Sequence, residues 1–256
     1  MTTDGPWQSA ISEIGANLIR IRGYDVAELM GKASFSDAIY LVLKGDLPDA
    51  KSSELFRAIL VSSIDHGVTP PSVLATRTVM SAGNSLHTAV AAGIMAIGDV
   101  HGGAIEQSAR ILQETARKEG DLHQLAFNLV KDLEIRKQRM PGFGHRLHTA
   151  DPRTAKLFEL AKSNGFGGRH TALAVEIEKA FVELSSKALP INVDGAIAAV
   201  ISDMGFDWRL GKAFFMISRI AGLVAHAYEE KTTQKPMRKL GDTNAVYAGP
   251  ARRSLQ

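Results

Sequence analysis

Cysteine is missing from all 256 residues, which removes disulfides, thiolate metal sites and an acyl-cysteine intermediate together. No block of five like charges occurs, so nothing marks a nucleic-acid-binding arm. The opening Met1-Thr-Thr-Asp-Gly-Pro-Trp7 has no basic region followed by an apolar one, and no later apolar run is expected to reach the length of a membrane span. These absences read as a cytoplasmic protein without membrane or nucleic-acid partners. Internal repeats and low-complexity tracts are lacking too. A Walker loop and a Gly-x-Ser-x-Gly elbow are absent, and Gly142-Phe-Gly144 meets Leu147 where a dinucleotide fingerprint needs glycine. His145-x-x-His148 is the only close histidine pair, and without a His-Glu-x-x-His pattern no metal site is expected.

What is present is ordinary in bulk: 45% hydrophobic residues, 22% charged residues and a net charge of +3. That suits one large domain or two small ones around a sizeable core, with a mild preference for an anionic small ligand. Alternation of period two is missing over strand length, whereas helical periodicity recurs, so the expected class is all-α. Residues 1–15 read as a weakly ordered arm. Helices are expected over Ser34–Lys44, Ser52–Ser63, Ser72–Ala82, Ser85–Ile97, Ala104–Glu119, Leu122–Arg136, Thr154–Asn164, Thr171–Lys187, Gly195–Met204 and Trp208–Tyr228. The alanine-rich Ser85–Ile97 has the composition of a helix packed closely on its neighbours.

Chemistry concentrates in Met140-Pro-Gly-Phe-Gly-His-Arg-Leu-His-Thr-Ala-Asp-Pro-Arg153. Two glycines flank Phe143, so the backbone can take positive φ and admit a ligand closely. Histidines, arginines and Asp151 follow, and Arg136, Lys137 and Arg139 precede. This reads either as an anion-binding loop that also handles protons or as a solvated turn between helices. Asp99-Val-His101-Gly-Gly103 at a helix start could place an imidazole and free amides at a developing oxyanion, or could be a turn whose histidine packs. Asp194, between Val193 and Gly195, is either a desolvated base or a helix N-cap. Arg219 lies in the apolar run Phe214–Val224 with no acid three or four positions away, so it needs an anionic ligand or a distant partner. His66 after Asp65, ahead of Pro70-Pro71, is weak alone.

Together these pieces resemble the citrate synthase superfamily. Pro141–His145 and Asp151–Arg153 match its Pro-Gly-Phe-Gly-His loop running to Asp-Pro-Arg, and His101–Ala104 matches its His-Gly-Gly-Ala turn. Asn192–Asp194 matches Asn-Val-Asp, Asp65-His66 its Asp-His segment, and Arg219–His226 its Arg-x-x-Gly-x-x-Ala-His helix. Ile21–Asp25 and Ser36–Pro48 also look like the family's opening. The chain resembles the compact members, citryl-CoA lyase and the C-terminal module of ATP-citrate lyase, because Pro48 and Asp65 are only 17 positions apart. Asp194-Gly195 is similar to the lyases, while the histidine of His101-Gly-Gly is similar to the synthases.

The resemblance implies a large helical domain over 1–105 and 206–256 that dimerises, and a small CoA-binding one over 106–205. It implies His101, His145 and Asp194 as catalytic residues. His66, Arg146, Arg153 and Arg219 would hold substrate carboxylates, with Lys235 or Arg238 of the tail serving the partner's site in a homodimer or higher even oligomer. Arg136, Lys137, Arg139 and Pro141-Gly142-Phe143-Gly144 would receive coenzyme A, as part of a thioester substrate and not as a permanently bound cofactor. The implied reaction is cleavage of citryl-CoA, or a close homologue, to acetyl-CoA and oxaloacetate or another 2-oxo acid, with a separate CoA ligase making the ester. Alternatives are a short citrate or 2-methylcitrate synthase and, from another class, a non-catalytic acyl-CoA-binding subunit. Three proton-handling residues argue against the last, since a binding module has no need of a base.

Overall fold

Ser34 opens the first long helix by a capping box, accepting from the Asp37 amide while the Asp37 carboxylate accepts from the Ser34 amide. A computed structural model describes residues 7–144, 151–185, 189–238 and 248–254. Within them lie α1 Val26–Lys32, α2 Phe35–Lys44, α3 Ala50–Ser62, α4 Pro71–Ser81, α5 Leu86–Met95 and α6 Ala104–Ala116. After these come α7 Leu122–Ile135, α8 Pro152–Ser163, α9 Arg169–Ser185, α10 Val193–Asp203 and α11 Gly211–Thr233. The all-α expectation holds, and every expected helix is found within a few residues of its expected ends.

One element was not expected. Instead of a loose arm, the stretch before Gly15 contributes β1 Ser12–Gly15, which pairs antiparallel with β2 Leu18–Ile21, and β2 pairs with β3 Tyr24–Asp25. Its turns use left-handed backbone at Asn17 and at Arg22-Gly23. Strands of four residues are too short to display alternation, so periodicity could not reveal them. A second correction concerns Trp208–Thr233, which does match a membrane span in length and composition, with mean hydropathy 1.2. Phe214, Phe215, Arg219, Leu223 and Ala227 of that run are buried against protein, as in a core helix.

The centre of the molecule is α10, where every residue from Gly195 to Ser202 is buried. It packs on α6, α8 and α9. Beside it, Tyr40, Phe56, Phe206 and Phe214 meet ring to ring at 5.0–5.9 Å between centroids. A smaller apolar cluster, Val73, Met80, Ala89, Val90, Leu223 and Ala227, joins α4, α5 and α11. A Cβ on Gly93 would overlap Thr76, so α4 and α5 approach as closely as the alanine-rich sequence suggested.

Candidate active site

Four segments converge around the N-terminus of α10. The first is Gly98–Gly103, a tight turn closed by reciprocal backbone hydrogen bonds between Gly98 and His101 at 2.9 and 3.0 Å. Gly102 adopts φ +81°, with the Phe215 ring occupying the space a Cβ would need. The turn sets His101 edge-on to Phe215, with Nε2 2.8 Å from Ser72 Oγ. Ser72 is fully buried on the first turn of α4. Burial first, and then the charge of Arg219, hold the His101 pKa below its ordinary 6.5, so the imidazole is uncharged at neutral pH.

The second segment is Met140–Gly144. Met140 is buried and anchors it, Gly144 N–H donates to Pro190 O at 2.7 Å, and Gly142 O accepts from Asn192 N–H at 3.0 Å. Asn192 Nδ2 donates in addition to Gly144 O at 2.9 Å. The loop thus lies directly on the start of α10.

Asp194 is not the N-cap of α10. The N-cap is Asn192, whose Oδ1 accepts from the amides of Asp194 and Gly195 at 2.9 and 3.2 Å. Asp194 sits inside the first turn, and among the described residues no donor reaches its carboxylate. The side chain lies deep among protein atoms while part of the residue remains accessible. Burial raises its pKa, against the opposing charges of Arg153 and Arg219, and Asp151 adds to the rise. Such a group can both hold and release a proton.

Asp151, the third contributor, is a residue that sequence reasoning left unassigned. Its buried carboxylate takes Arg153 Nε and Nη2 at 3.0 and 2.9 Å and the Val193 amide at 3.2 Å, tying α8 to α10. Burial would raise its pKa, but Arg153 and these amides bring the net shift below the usual carboxylate range. Arg153 Nη1 reaches back to Ser62 O at 3.4 Å. Nothing in sequence spacing marks Ser72, and Asp151 was visible only as part of Asp-Pro-Arg.

The fourth is one face of α11. Arg219 is buried, donates Nε to Ser63 O at 3.0 Å and lies 4.6 Å from the Phe215 ring centroid, yet among the described residues its Nη1 has no partner. No carboxylate of the described residues pairs with it directly. An orphaned guanidinium nitrogen in a buried position carries an uncompensated desolvation cost, which an anionic ligand would offset.

His101, Asp194, Arg153 and Arg219 are therefore brought together, with Gly142-Phe143-Gly144 alongside. His66 lies on the segment that Arg219 grips. Arg136, Lys137 and Arg139 are exposed between α7 and the loop, Arg136 paired with Asp132 at 3.0 Å. His145 and Arg146 lie outside the described residues. Lys235 is exposed beyond α11. Arg238 is engaged at the far end of α4, donating to both oxygens of buried Glu230 at 2.7 and 3.0 Å and, through its amide, to Ser81 Oγ. Ser81 is nine residues from Ser72, about 14 Å along a helix, so Arg238 stands apart from its own chain's His101. No group of three metal-ligating side chains occurs among the described residues.

The sequence profile of the citrate synthase C-terminal domain matches residues 6–58 and 48–240. The chain belongs to the citrate synthase family. It is similar to the solved structure of citryl-CoA lyase from Hydrogenobacter thermophilus, with TM-score 0.91 and 44% identity over 98% of this chain and 97% of that one. ATP citrate lyase from Methanothrix soehngenii, solved with citrate and coenzyme A, shares the fold at TM-score 0.84 and 20% identity, over 100% of this chain and 44% of that one. Citrate synthase 2 of Bacillus subtilis is 28% identical over 247 residues, 95% of this chain. This chain spans 64% of the length of that relative.

Proposed function

We propose that the protein cleaves citryl-CoA, or a close homologue, to acetyl-CoA and oxaloacetate. The observation that carries this reading is Arg219, whose Nη1 has no partner among the described residues, lying near enough to a buried Asp194 and a half-buried His101 for its charge to act on both. The proton of the substrate's tertiary hydroxyl passes to His145, a role taken from the family resemblance. The C–C bond then breaks, its electron pair passing to the thioester half as an enolate while the alkoxide becomes the keto group of oxaloacetate. His101 donates a hydrogen bond to the enolate oxygen. Asp194 delivers its proton to the carbon and yields acetyl-CoA. Arg219, Arg153, His66 and Arg146 hold the carboxylates of the leaving 2-oxo acid.

Identity of 44% over nearly the full length of both chains supports the lyase over a short citrate or 2-methylcitrate synthase. The Gly142–Gly144 loop with Arg136, Lys137 and Arg139 would receive the coenzyme A portion, and a separate ligase would supply the thioester. Residues 106–205 form the smaller, CoA-binding domain in this reading, and 1–105 with 206–256 the larger; their closure excludes water. A cytoplasmic homodimer fits the exposed Leu74, Leu86, Met95, Ile220, Val224 and Tyr228 on α4, α5 and α11. Of the two tail cations, Lys235 is the one assigned to the partner's site, and Arg238 anchors the tail to Glu230.

The test incubates purified protein with citryl-CoA and, separately, with acetyl-CoA plus oxaloacetate. Oxaloacetate and acetyl-CoA should form from citryl-CoA without added metal or nucleotide. Free CoA and citrate appearing at a comparable rate would favour the synthase, and no turnover in either arm would leave the binding subunit.

A further inference from the structure

Arg219, Gly222 and His226 lie along one face of α11, and all three meet the same short segment, Ser63–Gly67. Arg219 Nε donates to Ser63 O at 3.0 Å. Gly222 lets the helix come so near that a Cβ there would lie 2.5 Å from Ile64 O and 3.0 Å from Asp65 Oδ1. His226 Nε2 is 3.0 Å from Asp65 Oδ1, and its Nδ1 is 3.2 Å from Arg77 Nη1. A guanidinium can only donate, so Nδ1 accepts and the imidazole keeps its proton on Nε2, where it donates to Asp65. Asp65 Oδ2 in turn accepts from the Gly67 amide at 2.9 Å, closing a turn around His66.

Behind this chain stands a compact ionic anchor. Arg77, buried on α4, donates Nη1 to Glu229 at 2.6 Å and Nε to buried Glu230 at 2.7 Å, and Arg238 completes Glu230. The anchor orients Arg77, and Arg77 orients the imidazole. The segment it reaches has no helix or strand of its own to hold it.

We propose that His226 is a positioning residue: through its Nε2 bond to Asp65 it fixes the Asp65–Gly67 turn, and so aligns His66 with Arg219 for the carboxylate-bearing half of the substrate. This rests on the lyase reading of the site. His226 touches no reacting atom; its effect runs through Asp65.

Two isosteric variants separate the chain's two bonds. His226→Gln can still present an N–H where Nε2 stands, so the bond to Asp65 survives. His226→Asn can still accept from Arg77 but falls short of Asp65. Citryl-CoA kinetics, calorimetric titration with oxaloacetate and thermal melting are compared for wild type and both variants. His226→Asn should raise KM for citryl-CoA and Kd for oxaloacetate by about ten-fold with kcat within about three-fold, whereas His226→Gln stays near wild type. Asp65→Asn, which disturbs the same turn from the other side, should reproduce the KM effect if His226→Asn folds poorly. Equal losses in Gln and Asn variants, or a loss in kcat with KM and Kd unmoved, would overturn the proposal. Wild type that binds oxaloacetate but does not cleave citryl-CoA would sink the lyase reading alone, and the affinities would still decide the role of His226. Wild type that does neither would overturn both.

Discussion

Gly142 and Gly195 lie back to back: a Cβ on Gly195 would overlap Gly142 O, and one on Gly142 would be 2.6 Å from Gly195 Cα. This contact seats the Met140–Gly144 loop on the helix turn that carries Asp194. Gly195→Ala should push the two apart, with a stability loss of about 1–3 kcal/mol and citryl-CoA cleavage reduced more than the folded fraction. Denaturant titration beside kinetics measures both, and an alanine variant with wild-type activity would mean the contact does not set the site.

Asp194→Asn should fold, because the cap belongs to Asn192. Loss of the proton carrier should cost about 100-fold to 10,000-fold in rate. The readout is exchange of acetyl-CoA methyl protons with deuterated water, in the presence of an oxaloacetate analogue that cannot condense. Exchange at the wild-type rate would require another base.

The same substitution has a stability signature. A carboxyl whose folded pKa is raised is easier to keep protonated in the native state, so its contribution is full below the ordinary 3.8 and is lost as pH rises through the folded value. Wild-type melting temperature should therefore decline from about that pH toward neutrality more than that of Asp194→Asn. Parallel profiles would place the carboxylate in a better-solvated setting.

His101 has the opposite shift. With its folded pKa below 6.5, the stability it contributes is present above 6.5 and is lost as pH falls through the folded value. Ser72→Ala removes the partner of Nε2, and a lost hydrogen bond of about 1.4 kcal/mol predicts a roughly ten-fold fall in kcat. An unchanged kcat and pH profile would show that Phe215 and the glycine turn orient the ring without help.

Arg219→Ala should weaken oxaloacetate and citryl-CoA binding at least about ten-fold, at a stability cost of about 1–3 kcal/mol for the bond to Ser63 O. Loss of stability with affinity intact would instead make Arg219 structural. Arg238→Ala provides the contrast: it should lower stability by about 1–2 kcal/mol, since its side chain is one-third exposed at 32% and Glu230 keeps Arg77. A fall in substrate affinity without that loss would return Arg238 to the partner's site.

The sequence by itself determined the helices, because 3.6-residue periodicity and local caps such as Ser34 with Asp37 act within a few residues. It also singled out the short motifs on which the proposed chemistry rests, since His101-Gly-Gly, Pro141–Gly144 and Asn192–Asp194 each declare an unusual backbone or an ionisable group. It left Asp194 poised between cap and base, because both readings ask only for an aspartate near a helix start. Tertiary structure removed the cap reading by giving that place to Asn192, and it desolvated Asp194 among residues of other elements. Ser72 beside His101, Asp151 beneath Val193 and Arg77 behind His226 were equally out of reach. Each acts across 29 to 149 positions of chain, and a hydrogen bond at that separation has no local pattern to betray it.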